Sequence, residues 1–151
     1  MNGFRISKAA ASVKLFVSAV MCLLGVIYIT LLGNIWVDTE MKVGNIAKGY
    51  SGMEFSELLS ISHTYLPYYL YIFAIAVGVF FFTSFGEKLK RFFAVFPFIM
   101  ICVDIGSMWL TKYVSKIMFP WTLFFAGICL ACSFLSLFIL SIYDIWLRKN
   151  K

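Results

Sequence analysis

Four long stretches of this chain carry almost no charge, and that feature constrains the fold more than any other. Residues 15–37 and 64–86 each run 23 positions without Asp, Glu, Lys, Arg or His, residues 117–143 run 27, and residues 92–111 run 20 with Asp104 as the one interruption. At about 1.5 Å of rise per helical residue, each is long enough to cross a hydrocarbon core of about 30 Å. The runs are continuously apolar rather than alternating at every second position, which excludes a spanning β-barrel, and an isolated strand in lipid could not satisfy its backbone groups. The expected class is therefore all-α: an integral membrane four-helix bundle forming a single transmembrane domain over residues 1–151, with spans at about 15–37, 64–86, 92–111 and 117–143 and an external segment at 38–63. Composition agrees, since 62% of the residues are hydrophobic and 13% charged. What lies outside the spans is too short to bury a core of its own, so a large extramembrane catalytic domain is excluded.

The thirteen Lys and Arg residues set the expected orientation. Arg5, Lys8 and Lys14 precede the first span, Lys88, Lys90 and Arg91 sit between the second and third, and Arg148, Lys149 and Lys151 follow the fourth. The other two connections hold Lys42, Lys48, Lys112 and Lys116, so nine basic residues oppose four and both termini are expected in the cytoplasm. The formal charge of +6 is thus a topology signal and not a nucleic-acid footprint. The first apolar run is too long for the core of a secretory signal and is expected to remain as a helix. The connections at 86–91 and 112–116 are short, which makes spans two to four antiparallel neighbours in sequence order.

In the external segment, Gly44, Gly49 and Gly52 are expected to break the first half. From Met53 to Leu59 a helical pattern sets Phe55, Leu58 and Leu59 against Glu54 and Glu57, which suits a short amphipathic helix on the outer surface. Ser51 with Glu54 three residues later fits a capping box that would start this helix near Gly52. Pro67 either kinks the helix or begins a separate one.

Few residues in the spans can carry chemistry. Cys22, Cys102, Cys129 and Cys132 all lie within them, and Cys129 and Cys132 have a two-residue spacing used by redox dithiols and metal sites. That pair lacks a second pair or a nearby histidine, and no metal site is expected. Thr122, Ala126, Cys129, Ser133 and Ser136 instead recur at spacings of three and four, a seam of small side chains for close helix packing, with Ser18, Cys22 and Gly25 on the first span and Ala74 and Gly78 on the second as matching faces. Asp104 is the most informative residue. An acid at mid-span costs about 2.5 to 3.5 kcal/mol on insertion scales, so it should face the interior and a partner. Helical rise places Asp104 roughly 20 Å from Arg91, at a level that Tyr28, Tyr71 and the Ser133 to Ser136 turn also reach, and these form the expected intramembrane polar cluster. As a structural anchor, Asp104 would hold a donor such as Tyr28 or Tyr71, and Asp104→Leu would cost on the order of 1 to 2 kcal/mol. As a proton or ligand site it would need its carboxyl. His63, the sole histidine, falls near the outer interface, above Asp104, and is the one candidate cofactor-binding residue. Tyr65, Tyr68, Tyr69 and Tyr71 with Trp36, Trp109 and Trp121 form an expected outer aromatic girdle.

Several runs carry a family resemblance: Ser12-Val13-Lys14-Leu15-Phe16 entering the first span, Ser62-His63 before the second, Asp104-Ile105-Gly106-Ser107-Met108-Trp109-Leu110-Thr111-Lys112-Tyr113 in the third, and Tyr143-Asp144-Ile145-Trp146-Leu147 at the end. Together they resemble an uncharacterised family of four-span bacterial inner-membrane proteins, some of which carry a c-type haem motif in a longer first periplasmic segment. Carried over by match are His63, Asp104, Ser107, Trp109 and Lys112. The external segment here has no cysteine, so covalent haem attachment is excluded, and where relatives tend to have His-x-His this chain has His63-Thr64-Tyr65.

Three functions follow as expectations. The leading one is a non-catalytic bundle or subunit, homo-oligomeric or associated with a membrane complex of respiratory or electron-transfer type, requiring no cofactor. The alternative is a redox protein holding non-covalent haem or quinone near the periplasmic side at His63. The third is a small proton-coupled transporter using Asp104, disfavoured by the absence of repeats and paired intramembrane charges. No nucleophile, base and orienter combination supports hydrolase chemistry. The expected partner in every case is the lipid bilayer, and no nucleic acid is expected.

Overall fold

The computed structural model describes residues 5–148. Lys149 and Lys151, two of the basic residues in the orientation argument, lie outside them. The helices are α1 (Ala11–Thr39), α2 (Val43–Gly52), α3 (Phe55–Phe81), α4 (Glu87–Tyr113) and α5 (Phe119–Ile142). A 3-10 turn, Ile6–Lys8, precedes α1, and α5 runs on into one π-helical turn, Tyr143–Leu147. Four of the helices, all but α2, are long and apolar enough to span a membrane. Only 22 to 33% of their most apolar windows is buried inside the bundle. The rest faces outward, a surface stable in lipid and not in water. This is a multi-pass membrane protein.

Each long helix buries one stripe at helical spacing. On α1 it is Met21, Leu24, Tyr28 and Leu31; on α3 Tyr69, Ile72, Phe73, Ala76 and Phe80; on α4 Phe93, Pro97, Ile101, Asp104 and Met108; on α5 Leu123, Ala126, Leu130, Phe134 and Leu137. The stripes meet through aromatic rings. Tyr28 stacks on Phe134 at 4.6 Å between centroids and meets the edge of Phe73 at 6.2 Å, while Phe80 meets Phe93 at 5.3 Å. Phe73 and Phe80 are fully buried, so truncating either to Ala would cost about 3 to 5 kcal/mol.

The expected small-residue seam is corrected by this packing. Ala126 and Ser133 are buried, but Cys22 and Ala74 are exposed, and a Cβ added at Gly25 or Gly78 would meet nothing within 4 Å. Spacing alone does not say which face of a helix turns inward, and large side chains fill the contacts instead. All four cysteines are free.

The external segment also differs from expectation. Gly44 and Gly49 lie inside α2 and do not break it, and Gly52 is its last residue. Ile46 and Tyr50 anchor that helix by packing with Leu58, Met108 and Leu123, and such burial outweighs a glycine propensity penalty of about 1 kcal/mol each. The capping box lies three residues later than expected: Glu54 is the N-cap of α3 and Glu57 reaches back to the Glu54 amide at 2.9 Å. Leu58 is buried as its place on the apolar face suggested, whereas Phe55 and Leu59 are exposed. Pro67 lies within an unbroken α3, so it begins no separate helix.

Candidate functional site

A cavity of about 190 Å³ lies where α1, α4 and α5 converge beneath α2. Leu32, Ile35 and Thr39 of α1 and Leu123, Phe124, Gly127, Ile128 and Ala131 of α5 form its sides; Ile46 and Tyr50 of α2, with Met41, form its lid. At its base stand Tyr28 of α1, Tyr69 of α3 and Asp104 of α4. Asp104 belongs to the buried stripe of its helix, and the periodicity that aims Phe93, Pro97 and Ile101 inward carries it there as well. It is 4% exposed. Tyr69 is the side chain placed to hydrogen-bond the carboxyl, and Oδ2 has no hydrogen-bond partner from the protein.

The lid is held from several directions. A tight reversal from α1 places Glu40 and Met41 at φ of 50° and 54°, left-handed backbone that non-glycine residues adopt only when their surroundings fix it. The Thr39 hydroxyl accepts the Met41 amide at 3.2 Å and donates to the Ile35 carbonyl at 2.6 Å. Lys112, at the end of α4, donates to the Met53 carbonyl between α2 and α3. Trp109 Nε1 donates to the Ser62 hydroxyl at 2.9 Å, and Phe55 packs edge-on against the same indole at 5.5 Å. Burial pushes the Tyr50 phenol above its ordinary value, with Tyr65, Asp104 and Asp38 adding to the effect, so the lid tyrosine keeps its proton at neutral pH.

Of the expected polar cluster, the structure brings Asp104 and Tyr28 together at the cavity. Tyr71 is corrected: it is 69% exposed, and Tyr69, two positions and about 200° around the helix, takes its place. Ser133 is buried but donates to the Cys129 carbonyl of its own helix at 2.7 Å, and Ser136 is half-buried; neither lines the cavity. His63 is exposed on α3 and also lies outside the lining. Ser107 is buried, and its carbonyl accepts the Thr111 hydroxyl at 2.7 Å. The run from Asp104 to Lys112 thus does two jobs: Asp104 and Met108 line the cavity, Trp109 and Lys112 fasten the lid. The girdle divides likewise. Trp36, Trp121, Tyr68 and Tyr71 are exposed, whereas Tyr69 is buried.

Sequence reasoning missed the opposite end. The π-helical turn makes Asp144 fully buried: its Oδ2 accepts the Ser84 amide at 3.0 Å and its Oδ1 pairs with Arg148 at 3.3 Å. Arg148 also lies over the Phe85 ring at 5.0 Å. The Ile6 amide donates to the Phe82 carbonyl at 3.1 Å, which with the Ser84–Asp144 bond ties both terminal turns to the α3–α4 connection, and Trp146 donates to Ser18 of α1 at 2.9 Å. Nothing local in Tyr143-Asp144-Ile145-Trp146-Leu147 announces a partner sixty residues away.

No curated protein and no solved structure matches the chain. A family model described as a transmembrane helical domain, Aq_1264_TM, matches residues 43–151, from the first residue of the lid helix to the end of the sequence. With the match covering the lid, the acid and the buried terminal turn, this chain belongs to that family of transmembrane helical domains.

Proposed function

We propose that this protein is a non-catalytic bundle of the bacterial inner membrane that holds one small lipophilic molecule in the cavity under α2, as a homo-oligomer or as a subunit of a larger membrane complex of respiratory or electron-transfer type. The observation that carries the reading is the buried acid: Asp104 lines a largely apolar cavity, and its Oδ2 is buried with no hydrogen-bond partner among the described residues. A protein interior stable by packing alone gains nothing from that arrangement, since an unsatisfied buried polar atom costs about 1 to 3 kcal/mol. A cavity of about 150 Å³ accepts benzene, so this one takes a single ring-sized group. The redox alternative narrows accordingly: a quinone ring suits the volume better than a haem, whose candidate ligand His63 is not in the lining.

The orientation reading places both termini in the cytoplasm and the lid on the periplasmic side. It is supported by the basic residues: Arg5, Lys8 and Arg148 of the terminal segments and Lys88, Lys90 and Arg91 at the start of α4 fall at one end, while Lys42, Lys48, Lys112 and Lys116 belong to the segments around the lid.

The test is to fill the cavity. A Cβ at Gly127 meets no atom within 4 Å, so Gly127→Leu should fold and occupy the space. Native protein in detergent is expected to bind benzyl alcohol, as a ring-sized probe, and the filled variant to lose that binding. A native protein that binds no more probe than Gly127→Leu would overturn the reading.

A further inference from the structure

The polar atoms around the cavity are chemically one-sided. Apart from the backbone, they are the carboxylate of Asp104, the phenol oxygens of Tyr28, Tyr50 and Tyr69, and the Thr39 hydroxyl, already used twice within its own turn. Among the described residues no Lys, Arg, His, Trp, Asn or Gln lines the space, so their side chains present oxygen and no nitrogen donor. Electrostatically, Asp104 is felt by Tyr28, Tyr50, Tyr65 and Tyr69, and the next acid out, Asp38, by Tyr50 and Tyr65; none of these groups is a cation. The nearest candidate counter-charge in the same helix, Lys112, is spent on the Met53 carbonyl. The remaining walls are aromatic and aliphatic, with Tyr28, Tyr50, Tyr69 and Phe124 supplying four rings.

We infer that the cavity selects a lipophilic ammonium ion: one aromatic or similarly compact apolar ring bearing a primary or alkylated amine, its N–H donors on Asp104 Oδ2 and its charge among the tyrosine rings. This deepens the ligand-holding reading and rests on it. An ammonium group has donors and no acceptor, and every oxygen of the lining can accept from it: the carboxyl of Asp104 and the tyrosine phenols, which can also donate. It completes the open oxygen with a charge-assisted hydrogen bond, about twice as strong as a neutral one, and gains cation–π attraction from rings within reach. A neutral hydroxyl can hydrogen-bond the same oxygen but brings no charge to pair with the carboxylate.

Two probes of nearly equal size and shape separate the inference from the reading beneath it. Benzylammonium chloride and benzyl alcohol are titrated into the full chain in detergent or nanodiscs at neutral pH, with heat of binding as the readout. Benzylammonium is expected to bind about tenfold or more tighter than the alcohol, a difference of about 1.4 kcal/mol, and Asp104→Asn to erase that preference. Equal native affinities, or a preference that survives Asp104→Asn, would overturn the ammonium inference and leave the cavity reading standing. Binding of neither probe would overturn both. Because the comparison of the two probes is made on native protein, it decides the question even if the variant fails to fold, and Asp104→Glu, which keeps the charge, is expected to retain the preference.

Discussion

Asp104 and Asp144 are buried to 4% and 0% exposure near opposite ends of the bundle, yet their surroundings differ in kind. Asp144 is saturated: one oxygen accepts a backbone amide, the other a guanidinium, and that guanidinium is itself seated on a phenyl ring. Asp104 lines the cavity, has Tyr69 as a hydrogen-bonding neighbour, and keeps Oδ2 without a hydrogen-bond partner among the described residues. A paired acid fixes geometry, because both its oxygens are engaged, one by an amide sixty residues away and the other by a guanidinium four residues on. An acid with spare capacity fixes little and is available to a ligand. The contrast assigns structure to one end of the molecule and binding to the other.

The sharpest way to break that division is to remove the acid at the saturated end. Asp144→Leu strands the Ser84 amide and leaves Arg148 without its carboxylate, and the C-terminal turn loses its bond to the α3–α4 connection. Discounted for the partial exposure of Arg148, the loss is expected to be about 2 to 4 kcal/mol, read as a lower melting temperature in detergent. Asp144→Asn, which can still accept from the Ser84 amide, is expected to lose less. An unchanged melting temperature for Asp144→Leu would dissolve the comparison.

Next in size is the fastening of the lid. Trp109→Phe keeps the ring against Phe55 and removes the hydrogen bond to Ser62, so it is expected to cost about 1 kcal/mol and to weaken benzyl alcohol binding through a looser lid. Smaller still is an alkaline effect. Burial holds the Tyr50 proton in the native state to higher pH than in the unfolded chain, whose phenol titrates near 10. Its contribution is therefore complete below about pH 10 and is lost as pH rises further. Following melting temperature from pH 8 to 11 should show a decline that is shallower in Tyr50→Phe; identical slopes would place Tyr50 in water.

How far these features could be read from sequence follows from what a one-dimensional pattern encodes. The long helices show because an uncharged run of some twenty residues has few other fates, and Asp104 falls on an inward stripe because helical spacing repeats along its own chain. The ruler that set Tyr28 at its level is a statement about height. It carries no azimuth, and so it picked Tyr71 where the fold presents Tyr69. The lid helix was hidden by three glycines, since what stabilises it is Ile46 and Tyr50 against residues of α3, α4 and α5 and not its own propensity. Asp144 was passed over for the same reason, its partner amide being supplied by a connection between two other helices.

The smallest expected effect on stability is the most informative. A structural anchor at position 104 would make Asp104→Leu costly, because donors on neighbouring helices would be left unpaired. The geometry offers a different ledger: the substitution deprives the Tyr69 phenol of its acceptor, a loss of about 1 kcal/mol, and at the same time removes a buried carboxyl with an open oxygen, whose burial carries a penalty of similar size and opposite sign. The two nearly cancel, and the melting temperatures of Asp104→Leu and Asp104→Asn are expected to fall within the range that about 1 kcal/mol produces in either direction, while the preference for benzylammonium disappears in both. A large loss of stability in Asp104→Leu, with Asp104→Asn unaffected, would return this acid to the role Asp144 plays and leave the cavity without its polar determinant.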